Sequence, residues 1–279
     1  MLAKTAVFEA TAYLQKAGVE SASLDARLLA QHILGVSREK IIFSLDLFLT
    51  TEQYAKFQNL LGQRAKRKPI AKIIGKKEFW GREFAVSGDT LDPRPDSETL
   101  IEAVLERVRR KNSQKIIDLG TGTGCLLFSL LPEIPSAIGF SLDSSEQALE
   151  IARKNARNLH LEDRVNFIKS NWWEKVEGNF DIVISNPPYI ASGDIGGLAA
   201  EVRYDPMLAL DGGADGLDAY RVIIAGLSEH LAEGGFAALE IGIGQEANIE
   251  KIAEKNGLQV VEKRKDLGGI IRVIVLERK

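Results

Sequence analysis

Cysteine is almost absent from this chain, with one residue, Cys125, in 279. A lone cysteine allows no internal disulfide and no thiolate metal cluster, so the fold must stand on burial, and the composition suits a reducing compartment. Histidine is nearly as scarce. His32, His160 and His230 show no metal-ligand spacing, and no bound metal is expected. Long apolar runs are missing too. No stretch reaches the roughly 18 apolar residues of a membrane span, and the first residues, MLAKTAVFEATAYLQKAG, lack an export signal's continuous apolar core and small-residue cleavage site. The expectation is a cytoplasmic protein with no membrane partner. Positive charge is not in excess either. A formal net charge of −3 and a pI near 5.8 argue against a stable nucleic-acid partner held through many phosphates.

What is present is apolar material for a full core, 45% of the chain, enough for one large domain or two unequal ones. From Met1 to about Pro69 apolar residues recur at helical spacing. Leu24, Leu28, Leu29 and Ile33 predict one helix capped by Ser23 and stopped at Gly35. Tyr54, Phe57, Leu60 and Leu61 predict another, capped by Thr50 or Thr51 and ended by Pro69. Residues 70–91 alternate aromatic and β-branched positions around Gly75, Gly81 and Gly88, which reads as a hairpin linker. Beyond it strand-like and helix-like stretches alternate, the pattern of a parallel sheet with helices on both faces. The strands are expected over Lys115–Leu119, Ala137–Leu142, Val165–Ile168, Asp181–Ser185 and Phe236–Ile241, with final apolar runs at Leu258–Val261 and Ile270–Leu276. Helices are expected from Gly124, from Ser145, near Leu217–Leu231 and near Glu246–Asn256. The division is a helical domain over 1–70, a hairpin linker over 71–91 and an α/β domain over 92–279.

Three constellations carry chemistry. The first is the strand-turn-helix Asp118-Leu-Gly120-Thr121-Gly122-Thr123-Gly124, whose glycines let a ligand approach the backbone. The third glycine of a dinucleotide fingerprint would fall at Cys125, and no Gly-Lys-Ser/Thr phosphate loop follows. A carboxylate at Asp118 suits a sulfonium or ammonium better than a pyrophosphate, which favours S-adenosyl-L-methionine over NAD. Asp143 closes the next strand and can accept hydrogen bonds from both ribose hydroxyls, although both acids could merely cap helices. In the second, Ser170-Asn171-Trp172-Trp173, a ring can pack on adenine while Asn171 meets its edge. Trp172 is preferred, with core packing the competing role for either tryptophan.

The third constellation is Asn186-Pro187-Pro188-Tyr189, directly after an apolar strand. Two prolines make a rigid loop at the carboxyl edge of the sheet, where ligands bind. An NH2 group on an sp² carbon is a poor nucleophile because its lone pair is delocalised, so it must be held rather than ionised. Asn186 Oδ1 and the Pro187 carbonyl can accept its two N–H bonds, and Tyr189 can wall the planar group. The target is then an amide or an exocyclic amine, which leaves a glutamine side chain and adenine N6 of DNA or RNA both open. A catalytically idle adaptor is a third reading, disfavoured by the intact loop and Asp143.

Other features have plain explanations. The basic residues from Arg64 to Lys77 read as a solvated helix end. Asp211-Gly-Gly-Ala-Asp-Gly resembles a calcium loop, but its twelfth position is Val222 rather than Glu. Cys125 reads as a small buried thiol.

Asp92-Pro-Arg-Pro-Asp-Ser-Glu98, Asp118-Leu-Gly-Thr-Gly-Thr-Gly124, Ser185-Asn-Pro-Pro-Tyr-Ile190, Glu201-Val-Arg-Tyr-Asp-Pro206 and Asp215-Gly-Leu-Asp218 together resemble the HemK/PrmC-type protein-(glutamine-N5) methyltransferases. The resemblance runs over nearly the whole chain. It implies a Rossmann-like seven-stranded methyltransferase domain behind a helical substrate-gripping domain. It also implies that S-adenosyl-L-methionine is used to methylate the glutamine in the Gly-Gly-Gln loop of peptide chain release factors, releasing S-adenosyl-L-homocysteine; a monomer is expected. On this resemblance Gly120 to Gly124, Asp143, Trp172 and Asn186 bind the cofactor, and Asn186, Pro187, Pro188 and Tyr189 hold the glutamine. Asn171 stands where such enzymes often carry an acid, and Asp92 where they are usually apolar, so altered affinity is expected rather than lost activity. Arg94 and Glu98 either fix the linker over the site or form a simple salt bridge.

Overall fold

The computed structural model describes residues 1–43, 47–108 and 114–279, and these form two compact units. The first comprises Met1–Lys76 together with Ala199–Tyr204, and the second Lys77–Leu198 together with Asp205–Lys279. The helical pattern anticipated up to Pro69 includes residues 44–46, which lie outside the described residues.

The first unit is built from α1 (Ala3–Lys16), α2 (Ala22–Leu34), α3 (Arg38–Phe43), α4 (Thr51–Ala65) and α5 (Ile70–Ile74). Its core is Ala6, Ala10, Leu14, Ala26, Leu29, Phe57 and Leu61, each leucine contributing roughly 2 kcal/mol through burial. Two expected boundaries move. The second helix begins at Ala22 rather than behind a Ser23 cap, and its buried face carries Asp25 while Leu24 is exposed. The reason is electrostatic: Asp25 lies 2.6 Å from the buried Arg64 Nε and also accepts from Ser21 Oγ at 2.8 Å. α4 ends at Ala65, not at Pro69, which instead occupies the position before α5. Thr50 does cap α4, in a reciprocal box with Gln53, and Gly35 stops α2 in the left-handed region. Glu201 also belongs to this unit, where it pairs with Arg67 at 2.6 Å and Arg64 at 3.2 Å.

A two-stranded hairpin follows, β1 (Lys76–Phe79) and β2 (Arg82–Ala85), turning at Trp80-Gly81. It is shorter than residues 70–91 suggest because 70–74 coil into α5. Next come α6 (Glu98–Arg107), β3 (Gln114–Leu119), α7 (Cys125–Glu133), β4 (Ala137–Asp143), α8 (Glu146–Asn158), β5 (Val165–Lys169) and β6 (Phe180–Ser185). After them the chain forms α9 (Asp218–His230), β7 (Leu231–Glu240), α10 (Glu246–Lys255), β8 (Leu258–Lys265) and β9 (Ile271–Arg278). The seven strands run in the order β5-β4-β3-β6-β7-β9-β8, parallel up to β7, with β9 and β8 antiparallel.

Period-two alternation sends Ile116, Ile182 and Ile184 into the core against α6 and α7, and Ile117 and Val183 into the core against α9. Both faces are therefore apolar, as a parallel sheet requires. α6 was not anticipated: ten residues without a side-chain cap give weak punctuation, although Leu100, Ile101 and Val104 are fully buried. β7 starts at Leu231, earlier than Phe236, because a bulge opposite Phe180/Ile182 restores its pairing. Chain order reverses about β3, and the ends of β3, β4 and β6 border the crevice where such sheets bind ligands.

Candidate active site

β3 delivers the glycine loop, in which Gly120, Gly122 and Gly124 all take positive φ, from +54° to +80°. Gly124 is also sterically fixed, since a Cβ there would fall 2.2 Å from the Phe128 ring. The loop is laid against β4: the Gly120 and Thr121 amides donate to the Leu142 carbonyl, and the Gly122 amide donates to Asp143 Oδ2 at 2.9 Å. Asp143 Oδ1 accepts from the Ser145 amide at 2.9 Å, so the carboxylate has acceptor capacity left on each oxygen. Burial pushes Asp143 above its usual range, against the pull of these amides.

Asp118 lies beneath the loop rather than on its open side. It is 1% exposed, accepts from Thr121 Oγ1 at 2.8 Å, and is pushed up to about 7, first by burial and then by the charge of Asp143, against the Thr121 hydrogen bond. A carboxyl that holds its proton more tightly folded than unfolded favours the folded state at low pH, and that advantage fades as pH rises from about 4 to about 7. Asp118→Asn keeps an acceptor for Thr121 but removes the titration. Thermal melts should therefore place the variant higher relative to the parent at pH 8 than at pH 5, and an equal offset at both pH values would refute the burial argument. Glu240 is also pushed up to about 7, so part of the pH slope persists.

A cavity of about 530 Å³ opens over the loop. Gly120, Thr121, Gly122, Thr123, Asp143, Asn171, Trp172, Asn186 and Pro188 all line it, whereas Asp118, Gly124, Pro187 and Tyr189 do not. Trp172 takes φ +49°, a costly conformation outside glycine, and its ring packs beside Gly120. Trp173 does something else. It donates from Nε1 to the Ile223 carbonyl and stacks on His230 with centroids 4.6 Å apart, as a core residue. Asn171 Nδ2 donates to Glu174 at 2.7 Å, which leaves its amide oxygen as the acceptor.

β6 delivers Asn186-Pro187-Pro188-Tyr189. Ser185 Oγ donates to the Leu119 carbonyl at 2.6 Å, tying this strand end to the glycine loop. Asn186 Nδ2 donates to Ser97 Oγ at 3.3 Å. Tyr189 faces inward, its hydroxyl donating to Glu240 Oε1 at 3.4 Å, and burial next to Glu240 pushes that phenol up to about 12. Gln245 Nε2 braces the loop through the carbonyls of Tyr189 (2.9 Å) and Gly216 (3.1 Å). Sequence reasoning missed Ser97, Glu240 and Gln245. Glu240 had a signal, an acid ending an apolar strand just as Asp118 and Asp143 do. Arg94 pairs with Asp205 at 2.5 Å, and Glu98 accepts from the Trp80 amide at 3.0 Å.

The donor set fits a nucleoside cofactor: spare carboxylate acceptors for a diol, a tryptophan beside bare glycine backbone, and an amide oxygen at the rim. Among the described residues no cluster is placed to hold a metal, and no helix is long and apolar enough to cross a membrane.

Residues 5–75 match the family described as PrmC N-terminal domain, and residues 85–201 that described as Methyltransferase small domain. A release factor glutamine methyltransferase of Rhodospirillum rubrum is 44% identical over 267 residues, covering 95% of this chain and 82% of its own. That of Agrobacterium fabrum is 42% identical over 270 residues, covering 95% and 93%. Among solved structures, the hMettl16 catalytic domain in complex with MAT2A 3'UTR hairpin 6 gives a TM-score of 0.57 at 16% identity, covering 84% of this chain and 82% of that one. At that identity the likeness carries the fold alone, a Rossmann-like methyltransferase sheet.

Proposed function

Because the chain belongs to the release factor glutamine methyltransferase family, we propose that it transfers a methyl group to the N5 amide nitrogen of the Gly-Gly-Gln glutamine in peptide chain release factors. S-adenosyl-L-methionine is the cofactor, and when bound it supplies an electrophilic methyl on a sulfonium. The observation that carries the substrate reading is the placement of Asn186 at the cavity wall, with its NH2 turned to Ser97 and its oxygen free to accept an N–H. Gly120 to Gly124, Asp143, Asn171 and Trp172 hold the nucleoside. Asn186 Oδ1 and the Pro187 carbonyl receive the two N–H bonds of the glutamine amide and aim its nitrogen. Pro188 and Tyr189 keep the loop rigid. No residue needs to ionise the amide beforehand: as the N–C bond forms at the expense of the methyl–sulfur bond, whose electron pair stays with the departing thioether, positive charge grows on nitrogen, the two acceptors stabilise it, and one proton then leaves to solvent.

The same reading assigns residues 1–70 to gripping the protein substrate, 71–91 to a linker and 92–279 to transfer, in a monomer working in the cytoplasm. A formal charge of −3 supports a protein rather than a nucleic-acid substrate. Incubation with labelled cofactor should label release factor, should not label a release factor whose target glutamine is replaced by alanine, and should not label adenine-containing DNA or RNA. Labelled nucleic acid beside unlabelled release factor would overturn the assignment in favour of adenine N6.

A further inference from the structure

Asn186 has two chemically opposite ends of nearly the same shape, and rotation about its last bond exchanges them at little steric cost. With oxygen toward the target it attracts an N–H, and with nitrogen toward the target it repels one. The fold must therefore decide which end faces the cavity. Asn186 Nδ2 meets Ser97 Oγ at 3.3 Å, and Ser97 is 2% exposed at the start of α6. A serine hydroxyl has one proton and two lone pairs, so its effect depends on where the proton goes. The buried neighbour that can orient this hydroxyl is Glu240, a carboxylate 1% exposed at the end of β7 that receives the Tyr189 hydroxyl and whose charged form Ser97 stabilises. Above the value of about 7 to which burial lifts it, Glu240 is an ionised carboxylate that only accepts, so it takes the Ser97 proton, leaves a serine lone pair toward Asn186, and the NH2 end of Asn186 answers it. Arg272 is the cation that offsets Glu240, and Asp96 the nearby anion that opposes it.

Resting on the amide-transfer reading, we propose that Ser97 and Glu240 are positioning residues that set the polarity of Asn186: Glu240 orients the Ser97 hydroxyl, Ser97 holds the Asn186 NH2, and the Asn186 oxygen is left for the substrate. Tyr189 joins the same carboxylate, so both ends of the Asn186–Tyr189 loop are referred to one buried group. Gln245, which holds the loop only through backbone carbonyls, sets its position but not its polarity.

The test uses the full chain with Ser97→Ala, Ser97→Thr and Glu240→Gln, read by turnover, S-adenosyl-L-homocysteine binding and the ¹⁵N side-chain amide signal of Asn186. Ser97→Ala should lower kcat about 10- to 30-fold, with KM for release factor and Kd for S-adenosyl-L-homocysteine within about threefold of the parent, and Ser97→Thr should restore kcat to within about threefold. The Asn186 amide signal should move in Ser97→Ala and return in Ser97→Thr. Glu240→Gln, whose amide can donate as well as accept, should lower kcat and move the same signal. Undiminished kcat in Ser97→Ala would overturn the proposal, as would a loss matched by weaker S-adenosyl-L-homocysteine binding and unrepaired by threonine. Full activity with an unmoved signal in Glu240→Gln would remove the carboxylate from it. If the parent enzyme labels an adenine oligonucleotide instead of release factor, the amide-transfer reading fails. The Asn186 signal and the Ser97→Ala turnover ratio on that oligonucleotide then still judge Ser97.

Discussion

Asn186→Ala should lower kcat for release factor methylation by about a thousandfold while S-adenosyl-L-homocysteine still binds within about tenfold of the parent. The asymmetry follows from what the side chain touches. Asn186 lines the cavity, and its side chain's one hydrogen bond among the described residues, to Ser97, leaves the amide oxygen for a ligand. The residues proposed to hold the cofactor, Asp143, the glycine loop and Trp172, lie on β3, β4 and the segment after β5, and the hydrogen bonds and ring contact that place them do not involve Asn186. The acceptor's amide nitrogen is unreactive unless held, so losing one of two acceptors removes both aim and charge stabilisation at the moment the N–C bond forms. Single-turnover rates with calorimetric binding check this. Undiminished turnover in the variant would discard the clamp, and a binding loss as large as the rate loss would make Asn186 a cofactor residue first. Asn186→Asp separates the two acceptor roles, because it keeps the oxygen but sets a carboxylate against the Ser97 lone pair.

The sheet was legible because its strands are written as short, mostly apolar runs set apart by turn residues, and β3, β4, β5 and β6 all fall within a residue of where those runs predict. The glycine loop and the Asn186–Tyr189 loop were legible for a related reason. Both sit at strand ends, where backbone geometry restricts the residue types, glycine by positive φ and proline by its ring. What escaped was whatever depends on partners distant in sequence. Nothing near Asp25 announces that it is buried, because its partner Arg64 lies 39 positions away. Ser97 stood in a quoted motif and Glu240 at a strand end, yet their bearing on Asn186 exists only once α6 and β7 are packed beside β6. Tyr189 shows the converse limit. Its aromatic ring suggests a wall for the target, and nothing in the sequence signals that its hydroxyl meets Glu240 or that Gln245 braces its carbonyl.

Asp143→Ala should raise the Kd for S-adenosyl-L-homocysteine by about a hundredfold, the largest binding loss expected of any single residue in the cavity. Two effects add. The carboxylate offers acceptor positions to the ribose hydroxyls, and charge-assisted hydrogen bonds contribute roughly 1.5–3 kcal/mol each. It also receives the Gly122 and Ser145 amides at 2.9 Å apiece, so it fixes the glycine loop and the start of α8 before any ligand arrives. Asp143→Asn distinguishes the two contributions. Its single amide oxygen can keep one backbone amide, but its NH2 repels the other, so loop order suffers along with ribose binding. Amide exchange at Gly122, measured without ligand, should quicken in both variants, and if it does not, Asp143 serves the ribose alone. The turnover of either variant at saturating cofactor should fall far less than that of Asn186→Ala, since in the proposed arrangement Asp143 serves the cofactor while the target nitrogen is aimed from β6. A kcat loss in Asp143→Ala that excess cofactor does not repair would mean that the glycine loop also sets the line of methyl transfer, and the division of labour between β4 and β6 would have to be redrawn.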